Sequence, residues 1–190
     1  MASLRGRLSV LSVVACCGLL AATAVASAPG AKGLLLSRSD VGSGFIVKYS
    51  GARTLKVVGA GDSAAVRKEL KRSWLNGAEL AYQGSSVDRG VISQADVFRK
   101  SAQMGMILRA WQRDVVRISH GTRQALPDAA PGTGGALVRG HLLSYELLIY
   151  MWRHGRTISS VDVTGAKGTV PVSLVMKLAR AQDARAALLR

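Results

Sequence analysis

Residues 144–165, SYELLIYMWRHGRTISSVDVTG, constrain what this chain can fold into more than any other stretch. Two runs rich in β-branched and aromatic residues meet at His154-Gly155, and glycine suits a tight hairpin turn that needs positive φ. A two-residue turn at that point predicts Trp152 opposite Thr157 and Tyr150 opposite Ser159. Because side chains alternate along a strand, one face then carries Leu147, Ile149, Met151 and Ile158, and the other Leu148, Tyr150, Trp152 and Val161. Both faces are apolar near the turn. The hairpin is therefore expected in the centre of a sheet, or with one face covered by a partner.

The rest of the chain supplies elements to surround it. LLLSRSDVGSGF predicts a short helix that breaks at Gly42 and Gly44, and FIVKYSG with RTLKVVGAG predicts a strand pair. Ser63 can cap a helix from Ala64 to about Leu75, with Val66, Leu70 and Trp74 on its apolar face and Arg67, Lys68, Lys71 and Arg72 facing away. GAELAYQG and RGVISQADVFR predict two further strands. In the second of these, Val91, Ser93, Ala95 and Val97 share one face, and Ile92, Gln94, Asp96 and Phe98 the other. Ser101 is expected to open a helix running to about Ile118, with Met104, Ile107, Leu108, Trp111, Val115 and Ile118 as its buried stripe. Between His120 and Gly140, Pro127, Pro131 and several glycines predict mostly loop. Ser173 opens a last helix with Leu174, Val175, Leu178, Ala181, Leu188 and Leu189 as apolar positions. Antiparallel strand pairs alternating with helices predict an α+β domain, with helices packed on an antiparallel sheet.

Ahead of this domain, MASLRGR carries two arginines and no acid, and LSVLSVVACCGLLAATAVASA has neither charge nor proline. The apolar core from Leu8 to about Leu20 is shorter than the roughly 20 residues of a stable membrane span. This is the pattern of a cleaved signal peptide over residues 1–26, with a second cleavage option after Ala28, leaving a single domain over residues 27–190 and no stable transmembrane anchor. Val13-Val14-Ala15-Cys16 also resembles a lipobox, which would anchor the chain by a lipid on Cys16, but this is the minority alternative because the sequence stays apolar from Cys16 through Val25. Both cysteines lie in the signal, so the cleaved domain has no thiol, and disulfides, thiolate metal sites and cysteine nucleophiles are excluded together. At about 164 residues it is large enough to be held by its core alone.

The whole chain has a formal net charge of +15, and removal of Arg5 and Arg7 leaves 24 basic against 11 acidic residues. A field of this sign favours anionic partners. Arg109, Arg113 and Arg117 recur every fourth residue on the predicted second long helix, opposite Ile107, Trp111 and Val115, and form a candidate anion-binding ridge. The functional reading is contact with phosphates or headgroups; the alternative is a solvated helix face partly neutralised by Asp114. Specific nucleic-acid binding is not expected, because the tryptophans sit on apolar stripes and not among the basic residues.

No catalytic, cofactor or metal site is expected. Gly59, Gly61 and Ala64 in VVGAGDSA satisfy G-x-G-x-x-A, but parallel βαβ repeats and the acid that would hold a ribose are missing. Gly61-Asp62-Ser63 is followed by Ala64-Ala65 where a trypsin-like oxyanion loop needs glycine. His120, His141 and His154 have no ligand spacing. Glu146 and Asp162 fall opposite Val163 and Leu147 on different faces of the hairpin, too poorly placed for an acid and base pair.

LLLSRSDVGSGF, ADVFRKSAQM, MWRHGRTISSVDVTG and the closing LARAQDAR together resemble a group of exported bacterial proteins, mostly actinobacterial in type, without an assigned activity. The resemblance implies a small α+β domain, similar in layout to secreted Mog1/PsbP-like domains that act as binding or sensor modules. The expected function is thus a non-enzymatic binding or sensor-like domain of the cell envelope or extracellular space, with an anionic envelope component or a small ligand as partner. A charge-driven binder of anionic surfaces is the alternative, and a secreted hydrolase the least favoured.

Overall fold

The structure, a computed structural model, describes residues 30–59, 61–86, 89–99 and 103–188. The expected signal segment, both cysteines and the expected helix start at Ser101 lie outside these residues. The fold is α+β: a seven-stranded, wholly antiparallel sheet with helices packed on both faces.

A 3-10 turn (Ala31–Leu34) and helix α1 (Arg38–Val41) lead into β1 (Phe45–Arg53). Helices α2 (Leu55–Val58) and α3 (Ala64–Ser73) precede β2 (Trp74–Gly84) and β3 (Gly90–Phe98). Helix α4 (Met104–Ile118) is followed by β4 (Thr122–Gln124), β5 (Thr133–Leu142), β6 (Tyr145–His154) and β7 (Thr157–Ala166). Helix α5 (Val172–Ala186) closes the domain. Across the sheet the order is β1-β2-β3-β7-β6-β5-β4, which puts the β6–β7 hairpin in the middle.

The two faces of that hairpin explain the layering. Leu148, Tyr150, Trp152 and Val161 pack under α5 with Val175, Met176 and Leu178. Tyr150 and Trp152 stack at 5.1 Å between ring centroids. Buried polar groups tie α5 down: Gln182 accepts from Ser93 Oγ at 2.7 Å and donates to the Gln94 carbonyl at 2.7 Å, and Asp183 accepts from Trp152 Nε1 at 2.7 Å. On the other face Met151 and Ile158 join Phe98, Ile107 and Leu108 beneath α4, with Val66 and Leu70 of α3 completing that core.

Three expectations need correction. RTLKVVGAG is not the second strand of a pair: β1 runs only to Arg53, and Thr54 then caps α2 by accepting from the Val57 amide. The β-branched run is overridden because this local cap offers the backbone a helical turn. Ser63 caps α3 as expected, accepting from Val66 N at 3.3 Å. That helix stops at Ser73, and Trp74 already belongs to β2. Finally, residues 133–142 are a strand, not loop. Its glycines answer to neighbours: a methyl group on Gly135 would run into the Tyr150 hydroxyl, and one on Gly140 would lie 2.6 Å from Ser119 Cβ.

The hairpin register is also shifted by two residues. Gly155 and Arg156 form the turn, so His154 faces Thr157, Trp152 faces Ser159 and Tyr150 faces Val161. A shift of two keeps every side chain on its expected face. Glu146 pairs with Gly165 and Asp162 with Ile149, still on opposite faces.

Candidate functional site

A cleft opens between α4, the segment from α2 to the start of α3, and strands β1, β3, β6 and β7. One row of the sheet builds its floor. Arg53 at the end of β1 is level with Gly77 of β2, Gly77 with Asp96 of β3, and Asp96 with Ile158 of β7. Because Gly77 has no side chain, the Arg53 guanidinium crosses over it and ion-pairs with Asp96. A Cβ on Gly77 would occupy the place of the Asp96 carboxylate.

Asp96 is 1% exposed and fully engaged: one carboxylate oxygen takes Arg53, the other accepts from Trp74 Nε1 at 2.9 Å. Burial pushes its pKa up, and Arg53 and the Trp74 hydrogen bond hold it down. The Arg53 side chain is 10% exposed, and its Nε has no hydrogen-bond partner among the described residues. Its guanidinium carbon lies 5.9 Å from the centre of the Trp111 ring, within reach of a cation–π contact.

Opposite this floor stands Asp62. The α2–α3 connection turns at Gly61, whose φ of +89° favours glycine, and brings Asp62 under α4 just ahead of the Ser63 cap. Asp62 is 6% exposed, and one carboxylate oxygen accepts from Trp111 Nε1 at 3.2 Å. Its Oδ1 has no hydrogen-bond partner among the described residues. Burial raises the pKa of this carboxyl, with the Trp111 hydrogen bond opposing. Val57, Val115, Ile118 and Ile158 give the cleft apolar walls, and Asp114, paired with Arg117 at 2.6 Å, sits at its edge. The geometry combines apolar surface with two buried polar groups that each keep an unused hydrogen-bonding atom, which is the usual make-up of a small-molecule site.

Deeper along the same face lies a polar row. Gln94 donates to Glu79 at 2.7 Å and accepts from Ser160 Oγ at 3.2 Å. Beyond it Asp162, level with Ile149 and Ile92, has a pKa pushed up to about 7, chiefly by burial, with the Glu79 charge adding to it. Burial likewise raises Glu79.

The ridge residues Arg109, Arg113 and Arg117 are all exposed on α4 and none lines the cleft, although Arg117 reaches its edge through Asp114. Trp111, Val115 and Ile118 of the expected buried stripe are only half-buried, because they border the cleft. Gly59 and Gly61 connect two helices and do not follow a strand, so the dinucleotide pattern lacks its structural context. His120 lies just past α4 and His141 on β5, while His154 contacts Asp183 at 3.0 Å at the end of β6; the three are not gathered. No group of three or more His, Cys, Asp or Glu residues able to hold a metal occurs among the described residues. No helix there is long and apolar enough to cross a membrane.

Sequence reasoning missed Arg53, Asp62 and Asp96 as a set. Its available signals were an aspartate inside the apolar alternation of VISQADVF and a glycine ahead of AELAY in β2.

No protein-family model and no curated protein matches the chain. Among solved structures, the fold is similar to the extracellular domain of PknH from Mycobacterium tuberculosis, with a TM-score of 0.56 and 11% sequence identity. The match covers 84% of this chain and 98% of that one, so the likeness in fold extends over most of both chains.

Proposed function

We propose that this chain is an exported, non-enzymatic binding or sensor-like domain of the cell envelope or extracellular space, and that its ligand sits in the cleft between α4 and the sheet. The observation that carries the reading is the pairing of apolar walls with Arg53 Nε and Asp62 Oδ1, two buried polar atoms left without partners among the described residues. Unpaired buried polar groups are costly, so a ligand that satisfies them gains what the free protein lacks. The layout we assign is of the Mog1/PsbP type, with helices on both faces of an antiparallel sheet. The signal-like N-terminus and the fold shared with an extracellular domain both support an exported location.

Thermal unfolding of the purified protein against a panel of small polar and amphipathic molecules tests this. A true cleft ligand at about a hundred times its dissociation constant adds roughly 2.7 kcal/mol. Val115→Trp, which fills the cleft from α4, abolishes that gain; a compound that stabilises both proteins equally binds elsewhere.

The second reading is charge-driven binding of anionic membrane or cell-wall surfaces, favoured by the exposure of Arg109, Arg113 and Arg117 along one helix face. It predicts affinity for anionic vesicles that persists at physiological salt and is lost when the three arginines become alanine. Binding that vanishes with salt for both proteins alike assigns the charge to background.

A further inference from the structure

The cleft differs in charge from the molecule around it. The chain has a formal net charge of +15, yet the charged side chains that line the cleft are one arginine and three aspartates: Arg53, Asp62, Asp96 and Asp114. Two of the carboxylates already have cations, Asp96 from Arg53 within the floor and Asp114 from Arg117 at the edge. Asp62 has none among the described residues. Arg67 comes near, but its guanidinium donates to the Asp62 carbonyl oxygen at 2.6 Å and forms no ion pair with the carboxylate. A carboxylate more than nine-tenths buried, with Oδ1 unpartnered among the described residues, stands in the wall of a cleft that Val57, Val115 and Ile118 also line.

The group that best complements such an oxygen is a charged N–H donor. A hard metal ion does not fit the setting, because it wants six or more oxygen ligands and no group of three or more His, Cys, Asp or Glu residues able to hold one occurs among the described residues. An anion would meet Arg53, but that cation is already claimed by Asp96 and further offset by Glu79 behind the floor. The apolar walls and the Trp111 ring instead suit a hydrocarbon body attached to the cation.

We propose that the cleft binds a small organic ammonium ion, an alkyl or arylalkyl amine, with its N–H groups on Asp62 Oδ1 and its hydrocarbon part against Trp111, Val115 and Ile118. The proposal rests on the reading of the cleft as the ligand site and adds the chemical class of the ligand.

Three probes of matched shape test it: 2-phenylethylammonium, 2-phenylethanol and 3-phenylpropionate. Each is titrated into the purified protein by calorimetry, and the Trp111 indole N–H resonance, assigned with Trp111→Phe, reports binding in the cleft. The ammonium is expected to bind at least tenfold more tightly than the alcohol and to shift the Trp111 signal most. Asp62→Asn is expected to bring that ratio close to one. The ratio itself is measured on the unmutated protein, so the test survives poor folding of the variant. If the alcohol or the carboxylate binds as tightly as the ammonium and moves Trp111, the cationic class is refuted and the cleft reading stands. If none of the three moves Trp111 at millimolar concentration, both fall.

Discussion

Replacing Asp162 by asparagine isolates the effect of one buried carboxyl on the pH dependence of folding. Asp162 lies on the central strand β7, is nearly inaccessible, and has a carboxylate oxygen without a partner among the described residues. Burial pushes its pKa up to about 7, against a hydrogen bond from Ser160; the like charge of Glu79 on β2 adds to the rise and the opposite charge of Arg53 on β1 reduces it. In the unfolded chain the same group ionises near pH 4. Between these values the folded protein keeps a proton that the unfolded chain has released. Stability from this source is therefore complete below about pH 4 and is lost as the pH rises through 7. Three pH units at about 1.4 kcal/mol each come to about 4 kcal/mol in all, of which about 3 kcal/mol falls between pH 5 and pH 8. Asparagine has nearly the same shape and cannot ionise. The assay is urea unfolding followed by tryptophan fluorescence at pH 5, 6, 7 and 8 for both proteins. The difference in stability between Asp162→Asn and the unmutated protein is expected to move in favour of asparagine by about 3 kcal/mol over that range. Two stability profiles that stay parallel to within about 1 kcal/mol would refute the assignment of a raised pKa to Asp162.

The other predictions concern the cleft and the helix beside it. Arg53→Met leaves Asp96 a buried charge without its cation and is expected to cost about 3–5 kcal/mol at pH 7, while Arg53→Met with Asp96→Leu recovers most of the loss in urea unfolding. Gly77→Ala puts a methyl group where the Asp96 carboxylate lies and should cost at least about 2 kcal/mol through displacement of the ion pair; a melting temperature unchanged within error contradicts the crossing of Arg53 over Gly77. The Arg109, Arg113, Arg117 triple alanine variant should melt within a few degrees of the unmutated protein, since these side chains are exposed, and any loss of binding to anionic vesicles it shows is then not a folding defect.

How much of this could be read from residue order depends on the range of the forces involved. Alternation in β3 and in the β6–β7 hairpin was legible, because each strand must bury a face of known period. So were the central place of the hairpin, the Ser63 cap and the outward face of α4, all written in residues a few positions apart. The hairpin register was not: a turn at Gly155-Arg156 or at His154-Gly155 gives the same two faces, so apolar patterning cannot choose between them. Strand β5 was hidden by glycines that read locally as loop, although Gly135 and Gly140 are small because Tyr150 and Ser119 press against them.

The cleft belongs wholly to the tertiary structure. Arg53 and Asp96 are 43 residues apart and Asp62 and Trp111 are 49 apart, and no local pattern links either pair. They meet because antiparallel pairing aligns Arg53, Gly77 and Asp96 in one row, and because α3 packs against α4 with the α2–α3 connection tucked below it. The sequence by itself determined the class of fold, through short-range periodicity and caps. Only the folded chain decided which charges would share a buried space, since that depends on strand register and helix packing, contacts that sum over residues far apart along the chain.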